Sequence, residues 1–311
     1  MSVVALSGGI GGAKLTLGLY RDLAADSLIV VCNTGDDFEH LGLSISPDLD
    51  TVLYTLAGIA NRETGWGRAG ETWSFMHALE KLGGETWFRL GDADLATHVE
   101  RTRRLAAGES LAAIIADFGR RLGVRARVLP MCDAPVRTMV LTAAGVLPFQ
   151  RYFVEQRCAP KVAGFEFRGA DAARPLPALE EALASEELEA VVICPSNPFI
   201  SIDPILAVPG MREAIAGCRA PVVAVSPIIG GRAVKGPTAK MMAELGLAIS
   251  ARTVAAHYAG LLDGFVLDRA DAGDGRAIEM PCLAARTLMS TEADKRALAA
   301  EVLAFARRLA S

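Results

Sequence analysis

The chain has 311 residues, 51% of them hydrophobic and 22% charged, which is enough apolar material for one large α/β core. Its formal net charge of −4 argues against a nucleic-acid-binding protein, because such proteins usually present a basic surface. No apolar run approaches the ~20 residues of a membrane helix, and the N-terminus lacks a secretory signal, so we expect a soluble cytoplasmic protein without membrane or nucleic-acid partners.

The N-terminal segment predicts the start of a parallel sheet. An apolar run at residues 3–6 ends at Ser7-Gly8-Gly9, and apolar side chains then recur at helical spacing over residues 15–23. A second apolar run, residues 28–32, ends at Asn33-Thr34-Gly35-Asp36-Asp37. Strand, loop, helix and strand in this order are typical of a parallel sheet with buried strands.

A different pattern follows between residues 47 and 123. Strand-like runs become rare there, and helical spacing appears at residues 51–59, 71–81, 93–106 and 111–122. We predict that residues 47–123 form a mostly helical insertion, which covers part of the active-site cleft.

Strand-like and helical segments alternate again in the rest of the chain. The predicted strands are residues 125–129, 138–142, 151–155, 161–167, 190–194, 222–225 and, as the last one, 264–267. The predicted helices are residues 178–188 and 291–309. Without repeats or long linkers, residues 1–311 are predicted to form a single α/β domain with a Rossmann-like, mostly parallel sheet flanked by helices.

A glycine-rich cluster follows the first predicted strand, at the kind of sheet edge where open parallel sheets bind ligands. It reads Ser7-Gly8-Gly9-Ile10-Gly11-Gly12-Ala13-Lys14. Glycines let the backbone approach a phosphate, and a helix N-terminus offers free N–H groups. The spacing fits neither GxxxxGK[ST] nor GxGxxG. A tight turn that needs glycine only for packing is therefore the alternative.

Four carboxylates follow the second predicted strand, namely Asp36, Asp37, Asp48 and Asp50. Carboxylate oxygens suit Mg²⁺, which commonly bridges to substrate phosphates. The alternative is that Asp48 or Asp50 caps a helix beginning near Thr51.

Two later clusters carry further candidates. Ser196 and Asn197 stand between prolines after residues 190–194, and Lys235 follows paired glycines after residues 222–225. The alternatives are an ordinary rigid loop and a solvated lysine. His40 lies beside the acidic cluster and is able to titrate there, and Trp66 stands between glycines, where an aromatic side chain can contact a ring ligand.

Taken in order, these clusters and several other segments resemble the 2-phospho-L-lactate transferase family over nearly the whole chain. The similar segments are Gly8–Leu15, Asn33–Asp37, Ser46–Thr51 with Tyr54, Leu90–Leu95, Pro195–Pro198 with Ser201-Ile202, Ser226–Ile228, Lys235–Pro237 and Thr287–Met289.

The resemblance implies an enzyme that transfers a phospho-three-carbon-acid group from its guanosine-diphosphate-linked donor to the ribityl hydroxyl of the deazaflavin Fo. GMP would be released and a precursor of coenzyme F-420 formed. The acid would be 2-phospho-L-lactate or a group derived from phosphoenolpyruvate or phosphoglycerate. The resemblance also implies Mg²⁺ as cofactor and a homodimer.

The roles that the resemblance implies can be assigned to residues of this chain. The donor nucleotide would be bound by Gly8, Gly9, Gly11, Gly12, Lys14, Ser196, Asn197 and Lys235. The acceptor would be bound by Asn33, Asp36, His40 and Trp66. Asp48 and Asp50 would be catalytic, and Asp37, Asp48 and Asp50 would bind the metal.

Two other functions use the same features. An NAD-dependent oxidoreductase would place a cofactor on the glycine loop, although the glycine spacing departs from that motif. A non-catalytic nucleotide-sensing protein would bind phosphates without turnover. The density of carboxylates favours chemistry over sensing.

Overall fold

The computed structural model describes residues 1–310 of the chain. The strands are β1 (Ser2–Ser7), β2 (Leu28–Cys32), β3 (Phe38–His40), β4 (Leu43–Ile45), β5 (Arg127–Pro130), β6 (Arg137–Thr142), β7 (Gly145–Pro148), β8 (Val162–Arg168), β9 (Leu188–Ile193), β10 (Val222–Val225), β11 (Ile228–Ile229), β12 (Arg232–Ala233), β13 (Gly264–Asp268) and β14 (Cys282–Ala285). The helices are α1 (Gly9–Asp22), α2 (Pro47–Ala57), α3 (Ser74–Lys81), α4 (Asp92–Ala106), α5 (Leu111–Arg121), α6 (Pro177–Ala184), α7 (Asp203–Leu206), α8 (Met211–Ala216), α9 (Thr238–Glu244), α10 (Ala251–His257), α11 (Ala272–Gly275) and α12 (Glu292–Leu309).

A seven-stranded, fully parallel sheet in the order β14-β13-β10-β9-β1-β2-β5 forms the centre of the molecule. Its inner strands are short runs of Val, Ile, Leu and Ala that are buried on both faces. Strands covered by helices on both sides have this composition. The predicted α/β fold with a mostly parallel sheet is therefore confirmed.

Alternate side chains of each strand enter two separate cores. Val3 and Ala5 of β1 pack with α1, α2, α5 and α12, whereas Val4 and Leu6 pack on the opposite face. The two-residue period of a strand produces this division. The sheet is thereby fixed between two helical layers.

The order of the strands changes direction between β1 and β9. From β1 the chain continues to β2 and β5 on one side, and from β9 it continues to β10, β13 and β14 on the other. The loops that leave β1 and β9 consequently diverge and open a crevice at the carboxyl ends of these neighbouring strands. Open α/β sheets bind ligands at such a point.

The segment between β2 and β5 contains the hairpin β3–β4 and the helices α2 to α5. The first of these helices begins earlier than the sequence predicts, at Pro47, which its fixed φ suits to the first turn. Asp48 and Asp50 therefore lie inside the first turn of α2. Neither is the N-cap, because that position belongs to Ser46.

Besides the start of α2, three further predictions were wrong. Residues 151–155 form a π-helix instead of a strand, because Tyr152 turns into the core and is fully buried. The sheet gains a further strand, β14, whose short and partly exposed sequence Cys-Leu-Ala-Ala carries a weak strand signal. Helix α6 stops at Ala184, and β9 already begins at Leu188.

Within residues 1–310, no helix combines the length and apolarity needed to cross a membrane.

We predict that Gly11→Ala destabilises the fold, because a Cβ at position 11 would lie 2.2 Å from the carbonyl oxygen of Pro195 in the loop after β9. The two loops would have to separate, and such overpacking typically costs about 1–3 kcal/mol of unfolding free energy. Urea unfolding followed by circular dichroism measures the change. Gly273→Ala in α11 is the matched control, since a Cβ there has no neighbour within 4 Å. Equal stability of the two variants would contradict the prediction.

Candidate active site

The loops after β1 and β9 are joined by reciprocal hydrogen bonds. Ser196 Oγ donates to the carbonyl oxygen of Gly8 over 2.8 Å and accepts from the Gly8 amide over 3.3 Å. The next residue, Gly9, has a φ of 62°, which favours glycine. Close packing thus explains part of the glycine pattern, as we expected for a tight turn that needs glycine only for packing. The same loop nevertheless faces a large cavity.

This cavity has a volume of about 750 Å³ and lies at the crevice between β1 and β9. Eleven of the residues named from the sequence line it: Gly8, Gly9, Gly11, Lys14, Asp36, Asp48, Asp50, Trp66, Ser196, Asn197 and Lys235. The glycine loop and the carboxylates of Asp36, Asp48 and Asp50 therefore line one cavity, although they come from separate parts of the chain.

Four of the named residues lie outside the cavity lining. Gly12 is buried against Ser7 and Ser196, and Asn33 lies behind Asp48. Asp37 accepts a hydrogen bond of 2.7 Å from Ser46 Oγ, so it supports the start of α2. His40 is buried, and its ring lies 5.0 Å from that of Trp87.

Asp48 connects the glycine loop to helix α2. Its Oδ1 accepts from the Gly9 amide over 2.7 Å, and its Oδ2 accepts from Asn33 Nδ2 over 3.0 Å. The Asn33 amide also donates to the carbonyl oxygen of Ile200, which fixes its orientation. Burial raises the pKa of Asp48 to about 6. The side chain is consequently able to exchange a proton near neutral pH.

Asp50 belongs to a buried network that the sequence reading missed. Arg101 Nη2 donates to Asp50 Oδ1, and His98 lies with Nδ1 3.7 Å from Asp50 Oδ2 and Nε2 3.4 Å from Asp94 Oδ2. Tyr54 donates to Asp94 Oδ1 over 2.7 Å. Asp94, His98 and Arg101 follow one another at i, i+4 and i+7 on α4, so helical spacing was the available signal.

The carboxylates of the cavity are crowded, and a cation would offset their charge. Burial and the nearby charge of Asp48 raise the pKa of Asp36 well above its ordinary range, and burial also raises that of Asp50. Asp36 Oδ1 and Asp50 Oδ2 are buried without a hydrogen-bond partner among the described residues. Asp50, Asp94 and His98 have side-chain atoms within 4.8 Å of one another, and the two carboxylates of this group offer oxygen ligands. Oxygen-rich donors of this kind fit a divalent cation.

Aromatic side chains form one wall of the cavity. Trp87, Phe88, Phe149 and Phe153 all line it. Phe149 and Phe153 are stacked with ring centroids 5.3 Å apart, and Trp87 and Phe88 meet edge to face at 5.8 Å. Of the aromatic residues at the cavity, the sequence indicated only Trp66 as a ring contact, and its side chain is exposed at the cavity rim.

Basic side chains lie at another part of the cavity. Lys14 Nζ donates to the carbonyl oxygen of Met289 over 2.9 Å. Burial lowers the pKa of Lys14, and the positive charges of Lys235 and Lys295 lower it further. Three cations this close to one another favour binding of an anion.

The chain is similar to known proteins over nearly its whole length. The family model described as 2-phospho-L-lactate transferase CofD matches residues 3–304. A phosphoenolpyruvate transferase of Streptomyces griseus is 42% identical over 94% of each chain. A 2-phospho-L-lactate transferase of Methanosarcina mazei is 41% identical over 97% of this chain and 100% of its own. The crystal structure of a UPF0052 family member from Bacillus halodurans shares the fold, with a TM-score of 0.63, 16% identity and coverage of 97% and 98%.

We predict that the metal-free protein loses stability as pH rises from about 5 to 7. Burial raises the pKa of Asp37 to about 7 and that of Asp48 to about 6, whereas both titrate near ~4 in an unfolded chain. Between these values the folded protein holds more protons than the unfolded chain, so the unfolding free energy falls as they dissociate. Thermal unfolding in EDTA across this range measures the effect.

A second arm with Mg²⁺ tests the cation site in the same experiment. Because the cation binds ionised carboxylates, its stabilising effect should increase with pH. A metal-free melting temperature that is constant from about pH 5 to 7 would contradict the first expectation. An Mg²⁺ effect independent of pH would contradict the second.

Proposed function

Because the chain belongs to the 2-phospho-L-lactate transferase family, we propose that it transfers a phospho-three-carbon-acid group from a guanosine-diphosphate-linked donor to the ribityl hydroxyl of Fo and releases GMP. The acceptor oxygen forms a bond to the phosphorus that carries the acid, and the bond from that phosphorus to the GMP oxygen breaks. The hydroxyl proton passes to a carboxylate of the enzyme.

The contact between Gly9 and Asp48 carries this proposal. It brings the amides at the N-terminus of α1 and the carboxylates of α2 into one cavity, 2.7 Å apart at the point of contact. Amides at a helix N-terminus suit a diphosphate, and a carboxylate suits a hydroxyl group that must lose its proton. A transfer from a diphosphate to an alcohol requires both.

We assign to Asp48 the role of accepting the proton of the acceptor hydroxyl. Its pKa of about 6 lies close to neutral pH, so the ionised form is available to accept the proton from the acceptor hydroxyl. The hydrogen bond from the Gly9 amide holds this carboxylate beside the loop that would bind the donor.

Asp50 would hold Mg²⁺ together with Asp94, because Asp50 keeps a buried oxygen without a partner among the described residues and the two side chains offer ligand atoms within 4.8 Å of one another. The bound cation would neutralise charge on the diphosphate. Asp37 is a weaker candidate ligand, because it lies outside the cavity lining and Ser46 occupies one of its oxygens.

Lys14 and Lys235 would stabilise the leaving GMP. Both line the cavity, and the charge of Lys235 acts on Lys14. Positive charge at the leaving phosphate favours the transition state more than the ground state, because negative charge develops there as the bond breaks.

The aromatic wall supports a flat acceptor. Phe149, Phe153, Trp87 and Phe88 offer ring faces and edges for a deazaflavin, and Trp66 lies at the rim. Asn33 and His40, which the resemblance assigns to binding of the acceptor, lie outside the cavity lining. They would act indirectly, because Asn33 holds Asp48 in place and His40 holds Trp87 in place.

The relatives differ in the acid that their names specify, phosphoenolpyruvate in Streptomyces and 2-phospho-L-lactate in Methanosarcina, at nearly equal identity to this chain. Incubation with Fo, Mg²⁺ and each of the three guanylylated acids, followed by mass spectrometry, identifies the acid and tests GMP release. Absence of a product with every donor would refute the proposed function.

The two alternative functions, an oxidoreductase and a nucleotide sensor, predict different results in binding and turnover experiments. A nicotinamide-dependent oxidoreductase would bind NADH tightly, which fluorescence titration detects. A nucleotide-sensing protein would bind GDP in calorimetry but release no GMP with any donor. Membership of a transferase family favours neither.

We predict that Asp50→Asn lowers kcat by at least about 100-fold, because the variant loses the negative charge that would hold the cation beside the diphosphate. The asparagine oxygen can still accept from Arg101, so the fold should persist, but with lower stability because the buried guanidinium loses its anionic partner. GMP release and circular dichroism measure the two properties. Asp26→Asn, in an exposed turn with a φ of 65° that asparagine tolerates, is the control. Near-normal kcat in Asp50→Asn would remove this residue from the catalytic set.

We predict that Phe153→Ala raises the Kd of Fo by about 5- to 50-fold, because it removes one ring of the stacked pair. The side chain is 39% exposed, so the change should affect stability little. Fluorescence of Fo reports binding. Val146→Ala, also partly exposed but outside the cavity lining, is the control. An unchanged Kd would place the acceptor elsewhere.

A further inference from the structure

Arg101 is the largest fully buried side chain of the described residues, and it lies beside the cavity without lining it. A buried arginine needs partners for its charge, and an apolar side chain of similar size is often at least as stabilising. Stability alone therefore does not explain why an arginine lies next to Asp50.

The guanidinium has three partners, each on a different element. It donates through Nη2 to Asp50 Oδ1 on α2. Through Nη1 it donates to the carbonyl oxygen of Ser44 on β4 over 3.2 Å, and Nη1 lies 3.4 Å from His98 Nδ1 on α4. The planar group thus fixes the position of Asp50 relative to two neighbouring elements.

The contact with His98 determines which ring nitrogen carries the proton. A guanidinium only donates, so His98 Nδ1 must be the acceptor in this pair. In neutral His98 the proton is then on Nε2, which lies 3.4 Å from Asp94 Oδ2. His98 consequently has no proton to offer Asp50 Oδ2, although that oxygen is only 3.7 Å from Nδ1.

These contacts leave the two oxygens of Asp50 in different states. Oδ1 is held by Arg101, whereas Oδ2 is buried without a hydrogen-bond partner among residues 1–310. Asp50 lines the cavity, and Oδ2 is its oxygen that no described protein group engages.

We propose that Arg101 is a positioning residue, which holds Asp50 by one oxygen and, through the tautomer of His98, keeps the other free for a divalent cation in the cavity. The proposal rests on the proposed function for the kinetic consequences, but the binding of a cation tests it independently. Residues that orient a metal ligand typically change metal affinity or activity by about 10- to 100-fold when they are replaced.

The experiment compares Arg101→Met and Arg101→Lys with Arg104→Met. Arg104 lies one turn along α4 and forms ion pairs with Glu109 and Asp117, but it does not line the cavity or contact Asp50. It is therefore a matched control for loss of an arginine from this helix. Binding of Mn²⁺, measured by electron paramagnetic resonance, and kcat and KM for GMP release are the readouts.

We expect Arg101→Met to weaken Mn²⁺ binding and to lower kcat by about 10- to 100-fold each, with KM for Fo within about threefold. Arg101→Lys keeps the charge but cannot reach three partners, so it should recover only part of both losses. Arg104→Met should stay within about twofold of the wild type in both.

Wild-type Mn²⁺ affinity in folded Arg101→Met would overturn the proposal, and so would equal losses in Arg104→Met. If Arg101→Met does not fold, the test uses Arg101→Lys, because wild-type Mn²⁺ affinity in that variant would also overturn the proposal. If the wild type releases no GMP with any donor, the proposed function fails. The Mn²⁺ measurements then still test Arg101.

Discussion

The hydrogen bond from the Gly9 amide to Asp48 is the contact on which the site depends. It joins the loop after β1 to helix α2, which follows the neighbouring strand β2, beside the point where the strand order reverses. The Ser196 hydroxyl joins the same loop to the chain after β9. Parallel topology alone brings strand ends to one edge, but these short contacts decide that amides and carboxylates face the same cavity. A fold of this kind supports many functions, so the chemistry comes from this junction.

The sequence allowed most of the sheet to be predicted because its strands contain continuous apolar runs, and β1, β2 and β10 are followed directly by Gly8, Asn33 and Ser226. It also indicated eleven residues that line the cavity. The errors arose where packing decides between conformations. The aromatic segment around Tyr152 has the composition of a strand, yet burial of that ring in the core produces a π-helix. The strand β14 is short and partly exposed, so its pattern is weak.

Residues that act through another residue were the hardest to find. Arg101 and His98 carry no motif of their own, and a charged residue on a helix ordinarily faces solvent. Their significance appears only when α4 packs beside α2 and β4 and places them against Asp50. The converse holds for Asn33, Asp37 and His40, which were expected to contact ligands. They lie outside the cavity lining. Asn33 and His40 contact the lining residues Asp48 and Trp87, and Asp37 accepts a hydrogen bond at the start of α2.

The distribution of charge explains how one cavity can suit both an anionic donor and a neutral alcohol. Asp36, Asp48 and Asp50 would repel a diphosphate if they were ionised without compensation, and burial raises the pKa of each of them. A divalent cation removes this conflict, because it binds carboxylates and phosphate oxygens together. Lys14 and Lys235 add positive charge beside the loop, where the diphosphate would lie. Without a cation, the carboxylates would thus weaken binding of the donor. Binding of the cation and binding of the donor should therefore depend on each other.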